Sequence, residues 1–245
     1  MSSEEWKYEP APDLSQSLAE RLQSFPRAPH LWMYALRSFV ALLIRAWLAL
    51  FHRFEVRGRE HLGFEHSMIL VANHQSHLDA ACLTAAMPLA VLHRTFPAAA
   101  SDYFFSSLPR SAFSSIVVNG LPFDREAKGA ESLEVCRRLL ANRGNILIIF
   151  PEGTRSATGE LGRFRSGIGR LVEGTNIAVV PCHLEGAHAA FPKGALFPRP
   201  KKVVLTLGAP RRYGDRPVGR ETVEHICADL RGAVAELAQP EIGVH

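Results

Sequence analysis

Several familiar signatures are missing from this chain, and each absence removes a class of chemistry. The four cysteines, Cys82, Cys136, Cys182 and Cys227, are far apart and form no CxxC pair. That excludes a zinc ribbon or a disulfide scaffold and fits a reducing compartment. There is no GxSxG nucleophile elbow, no GxxxxGK[ST] phosphate loop and no GxGxxG dinucleotide fingerprint. The opening stretch, MSSEEWKYEPAPDLSQ, is acidic and polar and lacks the charged-then-apolar order of a secretory leader. The expectation is a site that works from the cytosolic side. Lysine occurs only at positions 7, 128, 193, 201 and 202, so arginine carries most of the positive charge. No internal repeat or low-complexity tract is visible.

What is present suits one sizeable α/β domain, or one domain with an appendage. The chain has 245 residues, 47% of them hydrophobic and 21% charged, an ordinary globular balance. A formal charge of +4 suits nucleic acid, an anionic membrane surface or a phosphorylated substrate, without choosing among them.

Residues 31–51, LWMYALRSFVALLIRAWLALF, approach membrane-spanning length but contain Arg37 and Arg45. A spanning helix would bury both charges at roughly 2.5–3.5 kcal/mol each. At helical periodicity Arg37, Ser38, Arg45 and His52 share one polar stripe, and Leu, Trp, Phe, Ile and Val fill the rest of the surface. The pattern predicts an amphipathic helix lying in the membrane interface with its arginines towards headgroups. A core helix and a true span are the alternatives.

Residues 1 to about 30 read as a loosely ordered arm broken by Pro10, Pro12, Pro26 and Pro29. Apolar runs at 54–58, 67–73, 114–120, 145–150, 176–181 and 202–208 predict strands. Helical patterns at about 78–87, 125–142, 167–174 and 219–238 lie among and after them. The predicted fold class is α/β, a single mostly parallel or mixed sheet covered by helices, preceded by the amphipathic segment. The predicted division is 1–53 for the arm and membrane-associating helix, and 54–245 for the α/β domain.

Four polar clusters directly follow predicted strands: NHQSHLD (73–79), NGLPFDR (119–125), FPEGTRS (150–156) and VPCHLEGAH (180–188), with GRFRSGIGR (162–170) between the last two. In open α/β sheets such positions are where sites assemble. His74, His77 and Asp79 resemble a slipped HxHxD metal string, which His183 and His188 could complete. The acid–base reading needs only His74 and Asp79. A histidine near its ordinary pKa of about 6.5 takes a proton from a hydroxyl, and a carboxylate on its other ring nitrogen fixes the tautomer. If Asn73 or Ser76 starts a helix, Asp79 lies about a turn in, within reach of the His74 ring. The bland alternative makes Asn73 and Ser76 capping residues and His74 a surface histidine. Arg125, Arg155 and Arg165 sit among glycines or at a helix start, an arrangement suited to phosphate. Glu152 could hold an arginine or accept a substrate hydroxyl.

Taken together and in this order, NHQSHLD, LPFDR, FPEGTRS and VPCHLEG resemble the blocks of the glycerolipid acyltransferase family, of the lysophosphatidic-acid acyltransferase type. The match runs from about residue 54 to about 208. The resemblance implies direct transfer of an acyl group from a thioester of coenzyme A or acyl carrier protein to a lysophospholipid hydroxyl, most simply that of 1-acyl-sn-glycerol-3-phosphate. It implies His74 as general base with Asp79 as its orienting partner, and His77 as a variable position. Asn73, Ser76, Arg125, Glu152, Gly153, Thr154, Arg155 and Arg165 would surround the acceptor. No metal, cofactor or nucleic acid is implied, and the protein would sit peripherally on the cytoplasmic side of the membrane that holds its substrate. Two departures fall near the acceptor site: Ser101 stands where many members have the lysine of a lysine–glutamate–leucine element, and Arg165 replaces a usual lysine. A metal-dependent phosphoesterase using His74, His77, Asp79 and His183, and a lipid-binding module without activity, are the competing readings.

Overall fold

The computed structural model describes residues 31–100, 121–123 and 129–238. The first expected arm, the expected strand at 114–120, Ser101 and Arg125 lie outside these residues.

The chain opens with helix α1 (Leu31–His52), followed by strand β1 (Glu55–Arg57). Next come β2 (Met68–Ala72), α2 (Asp79–Ala86), a 3-10 segment (Leu89–Arg94), β3 (Thr95–Ala100), β4 (Leu121–Phe123) and α3 (Gly129–Ala141). β5 (Ile146–Ile149), α4 (Ser166–Val172), β6 (Ala178–Glu185), the short α5 (Ala187–Ala190), β7 (Val204–Leu207) and α6 (Arg220–Glu236) complete the order. One seven-stranded sheet runs β1-β7-β6-β2-β5-β3-β4. All neighbouring strands are parallel except β6 and β7.

β2 is central, between β5 and β6, and every residue of MILVA is buried. Its alternation explains why a continuous apolar run is needed. Met68, Leu70 and Ala72 face one core with Leu48 of α1 and Leu83 of α2, while Ile69 and Val71 face another with Leu139, Ile168 and Leu230 from α3, α4 and α6. A fully buried side chain of this size contributes about 1.5–3 kcal/mol. Among the elements the sequence did not signal, β3 is the longest strand: TFPAAA holds a proline and three alanines and has little β-branched character.

α1 is where structure corrects expectation. It is long and apolar enough to cross a membrane by length and composition. Its polar stripe, however, faces the domain and not the headgroups. Arg37 and His52 are buried, His52 with its Nδ1 3.1 Å from the carbonyl of Lys201. Arg45 donates to the Met87 carbonyl, and Arg59 donates to that of Ala86 at 2.6 Å. The physical reason lies in α2, whose last carbonyls have no partner within the helix and are met by these guanidinium groups. Leu48 packs into the core beside them, and Leu36, Phe39, Leu42, Leu43, Trp47, Leu50 and Phe51 are left exposed. One face of the helix is therefore core, and the other is apolar surface.

Candidate active site

The site begins where β2 ends. Asn73 is fully buried and pairs with the backbone of β6, Oδ1 accepting from Leu184 N at 2.8 Å and Nδ2 donating to Leu184 O at 3.0 Å. With both ends of its amide engaged, it braces the loop and is not open to a substrate. Ser76 is likewise buried: its hydroxyl donates to Phe191 O at 2.7 Å and accepts from Leu78 N at 3.1 Å. Both residues, expected at the acceptor site, brace the loop in this structure.

Between them His74 is turned outward. Its Nδ1 lies 2.9 Å from Asp79 Oδ2, and the same oxygen accepts from Gln75 N at 2.7 Å and Ser76 N at 2.8 Å. Three donors converging on one oxygen leave Asp79 little freedom, and its position in the first turn of α2 suits a negative charge. Asp79 is fully buried, whereas the His74 side chain is 22% exposed. An Nδ1–H donated to Asp79 leaves Nε2 as the basic nitrogen, and no described residue bonds it. The ring also stacks on Phe150, centroids 4.2 Å apart at 17°, which fixes its plane.

Glu152 holds the third cluster against the first. Its Oε1 accepts from His74 N at 2.7 Å and its Oε2 from Gly162 N at 2.9 Å, while Ser156 N donates to His74 O at 2.8 Å. Where an arginine or a substrate hydroxyl was expected on Glu152, each of its oxygens accepts from a backbone N–H group. A Cβ at Gly162 would come within 2.7 Å of Oε2, so the carboxylate needs that glycine. Gly153 adopts φ 73, and a Cβ there would meet Arg165 Nε at 2.7 Å. The Arg165 guanidinium thus lies directly over the Gly153 backbone, with Arg165 N bonded to Pro151 O at 2.9 Å just before α4. Thr154 is exposed and Arg155 half-buried.

His77 has a more definite place than a variable position suggests. Its Nε2 contacts Arg155 Nη1, and its ring packs on Phe191 with centroids 4.8 Å apart. Desolvation first, and the adjacent Arg155 charge second, lower the His77 pKa. At neutral pH the ring is neutral and accepts from the guanidinium. Phe150 and Gln75, whose Nε2 donates to Gly159 O at 2.6 Å, are site-building residues that sequence reading does not single out, and His77 builds the site in place of ligating a metal. The aromatic immediately after β5, Phe150, is the one available signal.

Alternative nucleophiles fare poorly. Cys82, Cys136, Cys182 and Cys227 are all buried free thiols. Burial pushes Cys136 up to about 12 and moves Cys82 and Cys182 in the same direction. Among the described residues no three His, Cys, Asp or Glu side chains converge as a metal site would require, so His183 does not join His74, His77 and Asp79.

Fold and site together define an α/β protein with a buried-carboxylate histidine dyad at strand ends, flanked by arginines. The acyltransferase family model matches residues 53–185, more than half of the chain, and the protein belongs to that family. It is 27% identical over 207 residues to a chloroplast 1-acyl-sn-glycerol-3-phosphate acyltransferase of Arabidopsis thaliana, a match covering 82% of this chain and 54% of the relative. The protein of that activity from Saccharomyces cerevisiae is 28% identical over 196 residues, covering 77% of this chain and 58% of the yeast one. The chain therefore spans a little over half the length of these curated relatives. The crystal structure of the 1-acyl-sn-glycerophosphate acyltransferase of Thermotoga maritima shares the fold, with a TM-score of 0.63 at 24% identity, covering 85% of this chain and 89% of that one.

Proposed function

We propose that the protein transfers a fatty acyl group from a thioester, of coenzyme A or acyl carrier protein, to the free hydroxyl of 1-acyl-sn-glycerol-3-phosphate in phospholipid synthesis. The observation that carries this reading is the His74–Asp79 pair at 2.9 Å with Nε2 left unengaged among the described residues. Nε2 removes the proton of the acceptor hydroxyl as its oxygen attacks the thioester carbonyl. The tetrahedral oxyanion is met by backbone N–H donors, the C–S bond breaks, and the imidazolium returns its proton to the departing thiolate. Asp79 holds the Nδ1–H tautomer throughout. The buried thiols and the engaged Ser76 hydroxyl favour direct transfer over a covalent acyl-enzyme. Arg155 and Arg165, with Arg125, hold the acceptor phosphate. The exposed apolar face of α1 lies in the lipid on the cytoplasmic side, and this keeps the site next to a membrane-borne acceptor.

The test offers purified protein a labelled acyl thioester and a panel of lyso-lipids, and identifies the products by mass. Diacylated phosphate product from parent protein, lost in His74→Ala, is the expected result. Absence of product with every acceptor overturns the reading.

A further inference from the structure

The connection between β6 and β7 carries an apolar wedge that the acyl-transfer chemistry does not use. Residues 191–202 read FPKGALFPRPKK, with four cations and no acidic residue. Leu196 and Phe197 at the tip are 86% and 80% exposed, and among the described residues Leu50 of α1, at 85%, and Val218, at 74%, come nearest to them. The tip is stiffly mounted. Ala195 N bonds to Pro192 O at 3.1 Å, and Arg199 N closes the base on Ala190 O at 2.7 Å. Lys202 is paired with Glu55 at 2.6 Å, whereas Lys193, Arg199 and Lys201 have no ion-pair partner among the described residues.

Sheet topology places this wedge. β6 runs parallel to β2, so it ends at the rim where His74 lies. β7 is antiparallel to β6 and begins at that rim, Val204 opposite Glu185. β1 is parallel to β7, which brings the C-terminal end of α1 to the same rim. Direct bonds confirm the closeness, with Val203 N on His52 O at 3.0 Å and the His52 ring on Lys201 O. On the other side the loop's root is bonded to the catalytic segment, Phe191 O accepting from Ser76 Oγ at 2.7 Å and from His77 N at 3.4 Å.

We propose that the 191–202 loop is a second membrane contact, separate from α1, in which Leu196 and Phe197 enter the acyl region and Lys193, Arg199 and Lys201 bind anionic headgroups. Highly exposed apolar side chains, flanked in the sequence by exposed cations, match the layered chemistry of an anionic bilayer: charge at the surface, hydrocarbon beneath. The two contacts fix the molecule's orientation, because a helix alone leaves rotation about its axis open. They also bring the loop that is bonded to Ser76 and His77 down onto the lipid.

The test is partition of the full chain onto vesicles, phosphatidylcholine alone against phosphatidylcholine with phosphatidylglycerol. Leu196→Ser with Phe197→Ser should weaken binding to the anionic vesicles roughly ten-fold or more, the loss expected when two large side chains no longer leave water. Lys193→Ala with Arg199→Ala and Lys201→Ala should abolish the preference for anionic over neutral vesicles. Both sets are exposed, and a thermal melt matching the parent's excludes misfolding. As a second measurement, Phe197→Trp should add emission that brominated acyl chains quench. Unchanged partition, or no quenching, overturns the proposal. So does a tip variant that changes sedimentation in lipid-free buffer while leaving vesicle binding intact, which would assign the tip to a second copy. Because lipid binding is read without turnover, failure of the acyl-transfer reading leaves this test separately decided. A further arm uses a monomeric short-chain acceptor, with which the tip variants should keep the parent's rate while losing rate on a vesicle-borne one.

Discussion

The loop after β2 and helix α1 are both amphipathic, and they resolve that character in opposite ways. Around His74 the polar side chains are turned to the backbone: Asp79, Glu152, Asn73 and Ser76 are buried and each holds backbone groups, although Asp79 Oδ1 has no partner among the described residues. One histidine edge remains available. In α1 the polar groups are also turned inward, but it is a broad apolar face that is left over. The loop leaves one histidine edge by engaging the polar groups around it, and α1 leaves an apolar face by withholding apolar partners.

Substitutions test that contrast most strongly at the dyad. His74→Ala should lower the rate about 10²–10⁴-fold while thermal stability stays near the parent's, measured by product formation and by melting. Next comes the inward face of α1. Leu48 is fully buried, so Leu48→Ala should cost about 2–5 kcal/mol in denaturant unfolding, whereas Phe39→Ser on the outward face of the same helix should stay within about 0.5 kcal/mol. Equal effects on the two faces would erase the distinction. Gly153→Ala, at φ 73 and against Arg165, should cost about 1–2 kcal/mol from backbone strain and raise KM for a phosphorylated acceptor by moving the guanidinium.

The smallest expected effect depends on pH. His77 has a lowered pKa, so the folded state favours its neutral form. Its contribution to stability is complete above the unfolded value of about 6.5 and is lost as pH falls through the folded one. Acidification should therefore break the Arg155 contact and raise acceptor KM by a few-fold in this window, and His77→Gln should flatten that response. A KM profile in which parent and variant titrate alike removes His77 from the positioning of Arg155.

The same contrast explains how much was legible from the residues alone. β2, β5 and β6 could be read because burial on both faces demands unbroken apolar runs. The reach from His74 to Asp79 was anticipated as about a helical turn. β3 could not be read, since a Pro-Ala segment becomes a strand here only by pairing with β5 on one side and β4 on the other. The stripe on α1 was visible, but periodicity gives an angle on a helix and not what lies opposite it. Nor could Glu152 be placed. Its partners are backbone N–H groups, which every residue but proline carries and which no sequence pattern marks.

The single antiparallel pair, β6 with β7, has an evolutionary consequence. Because the chain turns back at the rim and need not cross the sheet, residues 193–198 form an exchangeable unit, held at its base by Phe191 on Ser76 and by Arg199 N on Ala190 O. Lengthening or rewriting that unit would leave the strand registers and the His74–Asp79 pair in place. Descendants of this chain could thus adapt to bilayers of new composition by exchanging one surface segment while inheriting the chemistry unaltered.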